Sequence, residues 1–211
     1  MNEQFYENLK EKIKPPFLEN GGHGFDHTQR VCNNALKISD EYVDLDVVQV
    51  SALLHDIARH KEDIGEVECH AIEGAKMAEE ILKELDFPED KIPFVVEAIK
   101  AHRYSKGIKA ETREAEILQD ADRLDALGAI CVARVFSYNG KKRNALYDPE
   151  IKPMDVYDSN GETGINHFYE KILKITPDKF NTLGAQKIAE GRYNFVQNFV
   201  NTFKKEWEGE L

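Results

Sequence analysis

Three cysteines in 211 residues, Cys32, Cys69 and Cys131, are too few and too scattered for a disulfide framework, and no Cys-x-x-Cys pair offers a thiolate zinc site. They read as small core residues. No run of about 18 apolar residues is present to cross a bilayer. The opening MNEQFYENLKEKIK is too charged to contain the apolar stretch of a secretory signal. Both absences point to a cytoplasmic chain with no membrane partner. Positive charge is scarce as well: 28 Lys and Arg stand against 39 Asp and Glu, a formal net charge of -11. Binding to nucleic acid rests on cations that neutralise phosphates, so this balance argues against a nucleic-acid partner. An anionic small molecule would need local help, from a metal cation or from clustered basic side chains.

Strand-like alternation is missing too. The apolar spacing is helical nearly throughout, which predicts an all-α fold. A 41% hydrophobic share is enough for one substantial core, and no seam divides the chain, so residues 1–211 are expected to form a single domain. Helices are expected over 2–13, 26–42, 45–59, 68–86, 88–103, 112–138, 162–175 and 178–206, with a long loop over 139–160. Pro15-Pro16 ends the first helix. Pro88 is expected in the first turn of the fifth, and Thr112 to cap the sixth. Residues 45–59 are apolar nearly all round, through Val47, Val48, Val50, Leu53, Leu54 and Ile57, the mark of a central buried helix.

That buried helix contains an anomaly, His55 beside Asp56 in SALLHDIARHK. A buried imidazole and carboxylate lose hydration, and the carboxylate is tolerated only if paired, hydrogen-bonded or metal-bound. Neighbouring helical residues diverge by about 100°, so the two can bracket one point over the seam between them. A cation there would stabilise both, given further donors from elsewhere in the chain. His27, in GFDHTQRV, is the leading candidate. The segment EAEILQDADRLDAL adds Asp120, Asp122 and Asp125. Asp122 has Leu118 and Ala126 as i±4 neighbours and is expected to be the more buried carboxylate, with Asp125 on the same stripe. Two His and two carboxylates make a mixed nitrogen and oxygen site that leaves positions for water and substrate.

Read together, His27, His55-Asp56 and Asp122 resemble the H…HD…D signature of the HD-domain superfamily of metal-dependent phosphohydrolases. The ordered blocks GFDHTQRV, SALLHDIARHK, ILQDADRLDALGAI, ARVFSYNG, NHFYEKILKI and AEGRYNFVQNFVNTFKKEW are similar to its YpgQ/YedJ-like branch, over about residues 22 to 207. The resemblance implies an HD-domain helical bundle, with the signature region over about 22–130 and C-terminal helices 162–206 packed on it. It implies one divalent cation held by His27, His55, Asp56 and Asp122, with Mn2+ first among Mg2+, Co2+, Ni2+, Fe2+ and Zn2+. It implies phosphohydrolysis, most specifically of nucleoside triphosphates to monophosphate and pyrophosphate. A 5′-nucleotidase, a cyclic-nucleotide phosphodiesterase, a di-iron oxygenase and a noncatalytic nucleotide sensor are the alternatives.

Within that scheme Asp56 and Asp122 are the expected catalytic carboxylates, with Asp26 as another group able to orient water. Arg30 and Lys61 are favoured over His60 and Arg123 as phosphate ligands. Lys141-Lys142-Arg143 reads as a solvated loop tip, and Tyr169 and Lys171 come within reach of a nucleotide through the block they share. His70 and His102 raise the question of a second ion, which some HD branches bind. The expectation here is one ion, with His102 contacting phosphate or a core carbonyl. His23 is placed near the site by its glycine-rich loop. Self-association as a homodimer is left open.

Overall fold

The computed structural model describes residues 1–17, 24–103, 106–157 and 161–211. His23 therefore lies outside the described residues. The fold is all-α, with no strand among the described residues beyond an isolated bridge between Ala145 and Thr163. Ten α-helices are described: α1 Glu3–Ile13, α2 Phe25–Ile38, α3 Leu45–Leu54, α4 Arg59–Asp63, α5 His70–Glu84, α6 Ile92–Ala101, α7 Arg113–Asp125, α8 Ala129–Lys142, α9 Gly164–Glu170 and α10 Leu183–Trp207. No described helix is long and apolar enough to cross a membrane. The chain groups into two compact units, Met1–Asp122 and Arg123–Leu211.

In the first unit α3 is the central element, packed against α2, α5 and α6. Its side chains Val48, Val50, Leu53 and Leu54 are buried. That matches the all-round apolar character of its sequence, since a helix enclosed on every side has no polar face to keep. Asp44 caps α3, accepting from the Asp46 and Val47 amides. A face of small residues on α5, Ala71, Gly74, Ala75 and Ala78, lets that helix approach the end of α3 closely. A Cβ on Gly74 would already lie 3.6 Å from the His55 carbonyl oxygen.

Several expected boundaries move. The third helix ends at Leu54, where Ile57 N–H donates to the Leu54 carbonyl at 3.1 Å and Arg59 N–H to that of Asp56 at 2.9 Å. These i to i-3 bonds tighten the chain into a turn, so the His-Asp pair sits at a helix end rather than within a helix. Ser39 is extended, and Asp40 accepts from the Tyr42 amide, which stops α2 short of Tyr42. Pro88 belongs to the turn before α6, and Pro93 occupies the helix's first turn. Thr112 caps α7 as expected, its hydroxyl accepting from Ala115 N–H.

The second unit holds α8, α9 and α10, with Leu124, Leu127, Ile165, Phe168 and Val196 buried. The single helix expected over 112–138 is two, α7 and α8, divided at Gly128. That residue has φ of +84°, a conformation that excludes most side chains, and a Cβ there would meet the Arg192 side chain at 3.2 Å. The helix expected over 162–175 breaks at Lys171, with φ -135° and ψ -58°, and continues as a 3-10 turn, Ile172–Lys174.

Candidate metal centre

Five elements deliver the donors. His27 is in the first turn of α2, His55 and Asp56 are on the turn after α3, His70 opens α5 and His102 follows α6; α7 brings Asp122. Two buried amides set these elements against one another. Asn34 Nδ2 on α2 donates to the Ala121 carbonyl, adjacent to Asp122, at 3.3 Å. Gln119 Nε2 on α7 donates to the carbonyls of Ala101 and Ile108, at 2.6 and 2.8 Å.

His27, His55 and Asp122 place donor atoms within 4.8 Å of one another, and so do Asp56, His70 and His102. The Asp56 carboxylate joins the two sets. Its Oδ2 lies 3.8 Å from His27 Nε2 and 3.8 Å from His55 Nε2. Its Oδ1 lies 3.1 Å from His70 Nε2 and 3.6 Å from His102 Nε2. His27 Nε2 is 3.4 Å from Asp122 Oδ1. Donors at about 2.0–2.2 Å from one ion stand about 3–4 Å apart, so the first set and Asp56 fit a divalent cation.

The proton positions agree with that fit. His55 Nδ1 lies 2.9 Å from the Ala52 carbonyl, which makes Nδ1 the donor and leaves the lone pair on Nε2. His55 Nε2 is buried and has no hydrogen-bond partner among the described residues. A buried nitrogen with an unused lone pair is costly unless something positive meets it. Burial pushes the His55 imidazole down to about 4. It is therefore neutral, as a metal ligand must be. Burial alone would raise the Asp122 carboxyl; the His27 contact and the neighbouring imidazoles outweigh it and hold the group well below the usual carboxylate range.

One expectation about burial is reversed. Asp120 and Asp125 are fully buried, whereas the Asp122 side chain is 31% exposed. Apolar i±4 neighbours on α7 do not bury Asp122, because its carboxylate turns toward His27 at the edge of the donor set. Asp125 is held by Arg134 Nη1 at 2.8 Å, a structural pair within the second unit.

Arg30, Lys61 and Arg123 have carboxylate or carbonyl partners. Arg30 pairs with Asp26 at 2.6 Å, and Asp26 itself is largely exposed. Lys61 lies 3.5 Å from Glu73. Arg123 is buried, stacked 4.8 Å over the Phe180 ring and donating to the Lys179 carbonyl, which makes it a packing residue. His60 is half-buried and Lys171 exposed, with Lys171 Nζ 5.4 Å from the Tyr157 ring centroid. Lys142 lies over Tyr138, and Lys204 over Tyr169. His102 Nδ1 donates to the Ile99 carbonyl at 2.6 Å, one of the two contacts, phosphate or core carbonyl, expected of it. Cys32 and Cys131 are buried, but Cys69 is half-buried at the start of α5, 3.6 Å from Arg103 Nη1.

Known proteins resemble this chain in sequence and in fold. The HD domain family model matches residues 24–127, the stretch that contains all six donors. The uncharacterized protein YpgQ of Bacillus subtilis is 30% identical over 194 residues, 90% of this chain and 87% of YpgQ. The chain belongs to the HD-domain family. An HD-superfamily hydrolase from Bacillus thuringiensis superposes with a TM-score of 0.76 at 34% identity, covering 98% of this chain and 97% of that one. Bacillus subtilis YpgQ, crystallised in complex with ADP, superposes with a TM-score of 0.72 at 24% identity over 96% of this chain and 95% of that one. This HD protein is accordingly a metal-dependent phosphohydrolase of that superfamily.

Proposed function

We propose that this HD protein hydrolyses nucleoside triphosphates to the monophosphate and pyrophosphate, with one divalent cation, Mn2+ first, held by His27, His55, Asp56 and Asp122. The observation that carries the cation is the buried, partnerless His55 Nε2 facing Asp56 Oδ2. The nucleotide rests on the relative YpgQ having been crystallised with ADP. When bound, such a cation polarises a phosphoryl oxygen and lowers the pKa of a coordinated water.

The chain's own residues do the rest. His27, His55 and Asp56 are nearly solvent-free and supply fixed donors, whereas Asp122 is open to solvent. We therefore assign Asp122 the proton given up by the attacking water, and Asp56 the orienting role. Arg30, Lys61 and Lys171 are assigned to the phosphates, whose oxygens gain charge as the bond to the leaving group breaks. Arg30 and Lys61 must exchange their partners Asp26 and Glu73 for substrate.

Incubation of the full chain with Mn2+ and a nucleotide panel in 18O-labelled water tests the reading. Pyrophosphate release with label in the monophosphate supports it. Orthophosphate from nucleoside monophosphates points to a 5′-nucleotidase, and opening of cyclic nucleotides to a phosphodiesterase. No turnover of any phosphorylated compound defeats the assignment in favour of a nucleotide sensor or an oxygenase.

A second cation position at Asp56, His70 and His102 has one specific observation behind it. His70 Nε2 and His102 Nε2 are 3.2 Å apart, and each ring has its Nδ1 committed to another oxygen. Two facing lone pairs beside the Asp56 carboxylate need a shared proton or a metal between them. Two metals per chain would support this arrangement, and two irons would favour the oxygenase.

A further inference from the structure

Glu62 lies on α4, six residues after Asp56, and in the sequence it looks like one more surface carboxylate. Its Oε2 instead gathers three donors. The His70 backbone N–H donates to it at 2.6 Å, the His70 ring through Nδ1 at 2.7 Å and Arg103 Nη1 at 2.9 Å. The His70 ring is buried, and its other nitrogen faces Asp56 Oδ1 at 3.1 Å. The Glu62 carboxylate can only accept, so the Nδ1 atom 2.7 Å from it carries a proton.

We infer that Glu62 is a positioning residue for the metal centre: by accepting the Nδ1 proton of His70 it keeps the His70 Nε2 atom aimed at Asp56. Arg103 Nη1, 2.9 Å from the same oxygen, holds Glu62 in place. The three-part chain Arg103, Glu62, His70 reaches the cation through Asp56, whose Oδ1 faces His70 while its Oδ2 faces His27 and His55. The inference deepens the cation reading above and rests on it for its effect on Mn2+.

The test separates the two. In 15N-labelled full-length protein at pH 8, long-range 1H–15N spectra report which ring nitrogen of His70 carries a proton, with no substrate and no added metal. We expect Nδ1 protonated in the wild type and in Glu62→Gln, whose amide oxygen still accepts, and Nδ1 bare in Glu62→Leu. Mn2+ affinity should fall up to about 10-fold in Glu62→Leu, the low end of what loss of a ligand's own partner costs, and recover in Glu62→Gln. A purely structural role for Glu62 would lower the melting temperature without moving the proton. A folded Glu62→Leu that keeps the Nδ1 proton overturns the inference. If Glu62→Leu does not fold, the wild type decides alone: a bare Nδ1 sinks the assignment and a protonated one supports it. Failure of wild-type protein to bind Mn2+ counts against the cation reading, while the proton position still reports on Glu62.

Discussion

Asn34 donates its buried side-chain amide to the backbone carbonyl of Ala121, at 3.3 Å, one residue before Asp122. The bond joins α2, which carries His27, to α7, which carries Asp122, so the spacing of two donors is set by a residue that is not itself a donor. Asn34→Ala removes this bond while the Ala121 carbonyl keeps its place in α7, with an expected stability loss of about 0.5–1.5 kcal/mol. Turnover is expected to fall by more than the loss of folded protein explains. Urea denaturation alongside kcat at a temperature where the variant is folded checks this; unchanged kcat would remove Asn34 from the account of the site.

Removing a donor should act on the metal before it acts on the fold. His55→Ala is expected to weaken Mn2+ binding by about 100-fold or more, since loss of an outer partner alone costs about 10- to 100-fold. Asp122→Asn keeps shape and removes the proton acceptor, so its kcat should collapse even where Mn2+ saturates. Calorimetric metal titration with kinetics at saturating Mn2+ distinguishes the two, and an Asp122→Asn enzyme with wild-type kcat would rule out the proton role.

For substrate, Arg30→Ala and Lys61→Ala are expected to raise KM for a nucleoside triphosphate with little change in kcat. Charge-assisted hydrogen bonds are worth about 1.5–3 kcal/mol, or about 10- to 100-fold. Each side chain must first leave a carboxylate partner, so about 10-fold is expected. Lys171→Ala belongs in the same series. A KM indifferent to all three would move the phosphates elsewhere.

Acid should loosen the packing of α1 on α3 before it reaches the centre. Burial pushes the Asp46 carboxyl up, but the amino-terminal ammonium, the Tyr6 hydroxyl and Lys91 outweigh it and hold the group at about 2, against 3.8 ordinarily. Because the folded value is depressed, the stabilisation is complete above about pH 4 and drains as pH falls toward 2, for a total of about 2 kcal/mol. Asp46→Asn should therefore lower stability at pH 7 and converge on the wild type near pH 2. Melting curves across that window provide the check, with a gap that stays constant as the contrary result.

The helical class and the order of the helices were readable because burial on one face imposes a 3.6-residue rhythm, and α3 announced its central place by being apolar all round. The donors were readable for a different reason: His55 and Asp56 violate that rhythm, and a violation inside a core demands compensation. What stayed hidden depends on three-dimensional proximity. Nothing in the spacing of Glu62, His70 and Arg103 marks them as one cluster, and Asn34 and Gln119 look like ordinary helix-surface amides. The relative burial of Asp120 and Asp122 is not legible in the sequence, because i±4 neighbours describe a helix's own surface and not what faces it. The break at Gly128 was signalled only by the glycine itself, which a helix interior also tolerates at a cost of about 1 kcal/mol.

The three thiols offer a way to watch the molecule open. Cys32 belongs to one compact unit and Cys131 to the other, and both are shut away from solvent, while Cys69 is partly reachable beside Arg103. An alkylating reagent will mark Cys69 at once and then wait. Mass spectra of the remaining two modifications, resolved by peptide, will time the exposure of each unit separately and tell whether the two unfold together or in sequence.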